Sequence, residues 1–85
     1  MKTFNFVIRE ELGIHARPAG MLAKEAQRFK SAIKLKKGEK ECLVTQLFKL
    51  MGLGVKMGNE VVVTIEGDDE DDAFEAMKDF FNHNL

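Results

Sequence analysis

The stretch Gly13-Ile14-His15-Ala16-Arg17-Pro18-Ala19 marks the place where the chain changes its backbone period. Before it, residues 2–8 alternate. Phe4, Phe6 and Ile8 share one face and Thr3 and Asn5 the other, which is the signature of a strand. After it, Ala19, Leu22, Ala23, Ala26 and Phe29 recur at helical spacing, so residues 16–29 are predicted to form a helix. Pro18 falls in the first turn, where a missing N–H is harmless. Gly20 lies inside that helix at a cost of up to about 1 kcal/mol relative to alanine, and close packing is the expected reason.

Downstream, the period switches four more times. Residues 32–36 suit a strand with Ile33 and Leu35 on one face, Lys37-Gly38-Glu39 reads as a turn, and residues 40–44 return as the second arm of a hairpin. The apolar segment Leu47 to Leu53, stopped by Gly52 and Gly54, is a candidate two-turn helix. Gly58-Asn59 turns the chain again. Residues 60–66 give the clearest strand, with Val61, Val63 and Ile65 on one face. Past Gly67, the run Asp68-Asp69-Glu70-Asp71-Asp72 precedes an amphipathic stretch with Ala73, Phe74, Met77, Phe80 and Phe81. Acidic residues favour a helix N-terminus, and the run lacks EF-hand spacing. The order β-α-β-β-α-β-α predicts an α+β fold. Four strands form an antiparallel open-faced sandwich, covered on one face by three helices, in a single domain over residues 1–85.

Composition narrows the function. A chain of 85 residues builds a small core, which directs function to the surface. One cysteine, Cys42, allows no internal disulfide and reads as a buried thiol. Only two histidines are present, far apart in sequence, and there is no zinc-type spacing. No metal or cofactor is expected. There is no apolar run near the roughly 20 residues that span a bilayer and no recognisable signal peptide, so a cytoplasmic protein without membrane insertion is expected. The net charge of −1 hides a polarity: residues 14–57 carry ten Lys/Arg against three Asp/Glu, and the remainder three against eleven. Such polarity steers a complementary partner. Nucleic acid is not that partner, because the chain has no Trp or Tyr and the basic half few aromatics for stacking.

The chemistry is concentrated at the junction. His15 stands between a strand end and a helix start, where backbone N–H groups lack intrahelical acceptors and can hold phosphate. Arg17 follows two residues later with a guanidinium suited to phosphoryl oxygens. Histidine offers a neutral nitrogen nucleophile near neutral pH. With the N–H of Ala16 and the Arg17 cation, it makes a phosphoryl-transfer constellation. A helix-capping histidine beside an ordinary surface arginine remains the alternative at this level. No second acid or base accompanies His15 within the motif, which argues against an unrelated enzyme.

Gly13-Ile14-His15-Ala16-Arg17-Pro18-Ala19 closely resembles the active-site loop of the HPr family, the histidine-containing phosphocarriers of the bacterial phosphoenolpyruvate-dependent sugar phosphotransferase system. The likeness continues through Leu47-Phe48-Lys49-Leu50, Leu53-Gly54-Val55 and Glu66-Gly67-Asp68-Asp69-Glu70, over essentially the whole chain. The resemblance implies that enzyme I phosphorylates His15 at Nδ1 and that His15 passes the group to the IIA domain of a sugar permease. Arg17 would screen the phosphoryl charge. It further implies a carrier substrate rather than an enzyme, in the open-faced sandwich read above. An HPr-like regulatory binding protein, or a carrier of a nitrogen-related or dihydroxyacetone branch, are the alternatives.

Leu47, Phe48, Leu50, Met51 and Leu53 cannot all point inward from two helical turns. Leu50 and Leu53 are expected in the core. Leu47, Phe48 and Met51 are expected to form an exposed docking patch, with Lys24 and Lys49 as steering charges. The family uses this surface to contact enzyme I and IIA domains. One departure stands out: Gln46 occupies the position of the family's regulatory serine and has no hydroxyl to phosphorylate. Thr45 is a poor substitute. A monomer forming transient complexes is expected. His83, near the end of the last helix, is expected to be solvated.

Overall fold

The computed structural model describes residues 1–85. The observed order is β1 (Lys2–Val7), α1 (Ala16–Ala26), β2 (Ala32–Lys37), β3 (Lys40–Leu43), α2 (Leu47–Gly52), β4 (Glu60–Glu66) and α3 (Glu70–Asn84). This is the predicted β-α-β-β-α-β-α sequence. The four strands form one antiparallel sheet in the order β1-β4-β2-β3. The last strand in sequence thus inserts between the first two.

Register decides which residues meet. Phe4 lies opposite Val63, Val63 opposite Leu35, and Leu35 opposite Cys42, so a single inward row crosses all four strands. Because side chains alternate along a strand, Thr64 and Lys34 pair on the opposite, uncovered face. The inward rows meet α1 and α3 in one cluster of 19 buried residues running from Ile8 to Leu85. Phe81 is the hub of the α3 side. Its ring meets Phe4, Phe6 and Phe80 edge-on at 5.6, 5.4 and 6.2 Å between centroids. Such edge-to-face pairs add about 0.5–1.5 kcal/mol each beyond the area they bury. Cys42 is buried, and burial pushes its thiol above the ordinary value.

Two expectations are corrected. The first helix ends at Ala26, not Phe29. Its last turn tightens, with Arg28 N–H donating to Glu25 O and Phe29 N–H to Ala26 O, both at 3.2 Å. The chain is then diverted because Lys30 and Ser31 donate their N–H groups to the Asp69 carboxylate at 2.8 and 2.9 Å. Phe29 still packs against the core, from a turn. Close packing does not explain Gly20 either, since a Cβ built there would meet nothing within 4 Å.

Candidate functional site

His15 ends the loop that leads from β1 into α1 and occupies the N-cap position of that helix, with φ −100° and ψ −175°. Its carbonyl accepts the first helical bond, from Ala19 N–H at 2.9 Å. Its ring makes no capping hydrogen bond, so His15 caps the helix through its backbone alone. The N–H groups of Ala16 and Arg17 have no acceptor in the chain, and Pro18 has no N–H to offer. The helix therefore opens with two free donors beside the imidazole.

The loop is fixed from both sides. Ile14 N–H donates to Val55 O at 3.1 Å, which ties it to the segment after α2. Gly13 N–H donates to Glu10 O at 2.9 Å, closing a turn, and Arg9 and Glu10 N–H both reach Leu85 O, at 2.5 and 2.8 Å. Leu85 itself is buried. The C-terminal end of α3 is thus part of the wall behind His15.

A cleft of about 360 Å³ opens in front of this loop. His15, Arg17, Glu10, Leu12, Pro18, Met21, His83 and Asn84 line it. Arg17 is exposed and forms no ion pair or hydrogen bond within the chain, so its cation is available. The Glu10 carboxylate lies 3.8 Å from His15 Nε2. His83 is solvated, as expected. It also lines the His15 cleft, and its Nδ1–H donates to Asp79 O at 2.7 Å. Nothing in the sequence relates residues 15 and 83. Only the packing of α3 beside α1 does. A chain family model for the PTS HPr component phosphorylation site matches residues 2–83.

The chain belongs to the HPr phosphocarrier family.

Among its relatives, a phosphocarrier protein HPr of Lysinibacillus sphaericus is 44% identical over 77 residues, covering 91% of this chain and 88% of that protein. One from Mycoplasma capricolum is 37% identical over 78 residues, covering 92% and 88%. A crystal structure of HPr from Thermoanaerobacter tengcongensis superposes with a TM-score of 0.91 at 36% identity, covering 96% of this chain and 92% of that one. The HPr fold and a phosphocarrier role in the phosphotransferase system follow for this chain.

The apolar residues of α2 and the turn after it divide as the helical geometry requires. Leu50 and Leu53 are buried, Leu47 is half-buried, Phe48 is 86% exposed and Met51 37% exposed. Lys49 is exposed on the same short helix. Lys24 is exposed as well, but it lines a larger groove of about 720 Å³ between α1 and α3, with Arg28, Phe80 and His83. That groove shares Met21, His83 and Asn84 with the His15 cleft. Gln46 is the N-cap of α2, and its side-chain oxygen accepts a hydrogen bond from Leu43 N–H at 3.3 Å. No helix is long and apolar enough to cross a membrane.

Proposed function

We propose that this chain carries a phosphoryl group on His15. It takes the group from phosphoenolpyruvate by way of enzyme I and delivers it to the IIA domain of a sugar permease. The observation that supports this most directly is the pairing of an imidazole without a capping bond and an unpaired guanidinium in one open cleft, beside two free backbone N–H groups. The Nδ1 lone pair attacks phosphorus as the donor's bond to phosphorus breaks, and the leaving electron pair returns to the donor. The N–H groups of Ala16 and Arg17 and the Arg17 guanidinium hold the non-bridging oxygens.

Leu47, Phe48 and Met51 form the docking patch, with Lys24 and Lys49 steering acidic partners. The complexes are transient and the carrier is a cytoplasmic monomer of one domain. Gln46 has no hydroxyl, so the ATP-dependent regulatory phosphorylation of the family is absent at this position. The retained His15 and Arg17 favour transfer over a purely regulatory binding role.

Incubation with enzyme I, magnesium and labelled phosphoenolpyruvate tests the reading. One acid-labile phosphoryl group on His15, absent in His15→Ala, is the expected result. Arg17→Ala should accept the group about 100-fold more slowly with little change in stability. Labelling of the His15→Ala variant would overturn the assignment.

A further inference from the structure

Glu10 is not part of the motif that singles out His15, yet its carboxylate is the only one within ion-pair distance of that ring. Glu10 Oε1 lies 3.8 Å from His15 Nε2. The same oxygen accepts Leu12 N–H at 3.2 Å, which holds the carboxylate in place. The Glu10 backbone is held at both ends as well, by its N–H to Leu85 O at 2.8 Å and by its carbonyl from Gly13 N–H at 2.9 Å. Both side chains are about one-third exposed, so their interaction is only partly screened.

Transfer chemistry explains why this place matters. When Nδ1 carries phosphorus, the ring becomes cationic if Nε2 keeps its proton. On delivery, the electron pair of the N–P bond returns to Nδ1, and the ring leaves as neutral imidazole bearing the Nε2 proton. Without that proton it would have to leave as imidazolate, a far poorer leaving group. A carboxylate facing Nε2 therefore acts on the phosphorylated ring. At 3.8 Å it is an ion-pair contact rather than a hydrogen bond, and catalytic contacts commonly tighten only once charge develops. A phosphoryl group on Nδ1 would leave the carboxylate facing the other ring nitrogen.

We infer that Glu10 is a positioning residue for phosphoryl delivery, holding the Nε2 proton on the phosphorylated His15 ring. This rests on the phosphocarrier reading. The other titratable side chains that line the cleft are Arg17, from the start of α1, and His83, from the end of α3. When cationic, both oppose a proton on the ring, and Glu10 is the only acidic side chain that lines the cleft with them.

The test uses the full chain, phosphorylated by enzyme I and phosphoenolpyruvate, in wild-type, Glu10→Gln and Glu10→Ala forms. Glutamine keeps the length and can still accept Leu12 N–H, so a purely structural role for Glu10 is preserved in Glu10→Gln. Ring nitrogen NMR of the phosphorylated form reads the Nε2 proton directly across pH. The expected result is that Glu10→Gln loses this proton at a pH lower by about half a unit or more and delivers the group to a IIA domain about tenfold more slowly. Glu10→Ala should behave no better. If Glu10→Gln matches the wild type in both readouts, the role of Glu10 is overturned and the carrier reading stands. If wild-type His15 takes no label at all, the carrier reading itself fails.

Discussion

Gly13 and Val55 pack backbone against backbone. Gly13 has φ +66°, and a Cβ there would overlap the Val55 carbonyl oxygen and come within 2.7 Å of Lys56 Cα. The next N–H, of Ile14, donates to that same carbonyl. The loop that presents His15 is thus seated on the segment following α2, and only glycine combines the positive φ with so close an approach. Gly13→Ala should lower stability by about 3 kcal/mol, from backbone strain together with the displaced contact. Urea unfolding checks this. Phosphoryl acceptance should fall by more than the unfolded fraction, since the loop moves before the core melts. A variant with wild-type stability would mean that the 53–56 segment yields freely.

Gly20 presents the reverse case. It is in the middle of α1 with open space where a Cβ would go. Gly20→Ala should raise stability by about 1 kcal/mol, the helix-propensity difference between the two residues. Thermal unfolding measures it directly. A lower melting temperature would show that the methyl group meets something the free chain keeps nearby.

Phe48 contributes little to the fold because its ring lies largely in water. Phe48→Ala should change stability by less than about 0.5 kcal/mol and weaken binding to enzyme I roughly tenfold, as loss of an aromatic anchor does. Titration calorimetry with the purified partner separates the two effects. Unchanged affinity would remove Phe48 from the docking surface.

Asp69 joins the start of α3 to the start of β2. Its carboxylate accepts the Ser31 hydroxyl at 2.5 Å and the N–H groups of Lys30 and Ser31. These bonds, the hydroxyl first, hold its carboxyl below the ordinary carboxylate range. A depressed folded-state value means that the stabilisation is complete above the unfolded-state value near 3.8. It is lost as pH falls from there through the folded-state value. Asp69→Asn should therefore lower the melting temperature at neutral pH and show a smaller further decline on acidification than the wild type. Parallel acid transitions in the two proteins would count against this role.

Much of the architecture is legible in the sequence. The alternation at Phe4, Phe6 and Ile8, the same pattern at Val61, Val63 and Ile65, and the helical spacing after Pro18 each report a local preference. Each of them became the expected element, although β1 stops at Val7 and leaves Ile8 just beyond it. Where the helical reading overran, at residues 27–29, the cause was distant: Asp69 captures the N–H groups of Lys30 and Ser31, thirty-eight and more residues away. No local window contains that competitor.

The candidate site divides along the same line. The sequence alone placed His15, Ala16 and Arg17 together at a strand-to-helix junction, where backbone N–H groups lack intrahelical acceptors. It also determined that an apolar two-turn helix must leave part of itself in water. Only the tertiary structure decided that Glu10 faces the His15 ring, that Gly13 rests on Val55, and that His83 shares the cleft. It alone placed Lys24 in the groove beside α3. These relationships depend on how α3 and the segment after α2 dock against the first loop. Side chains far apart in the chain become neighbours through the packing of a shared core, and short-range periodicity carries no record of which distant elements that core will bring together.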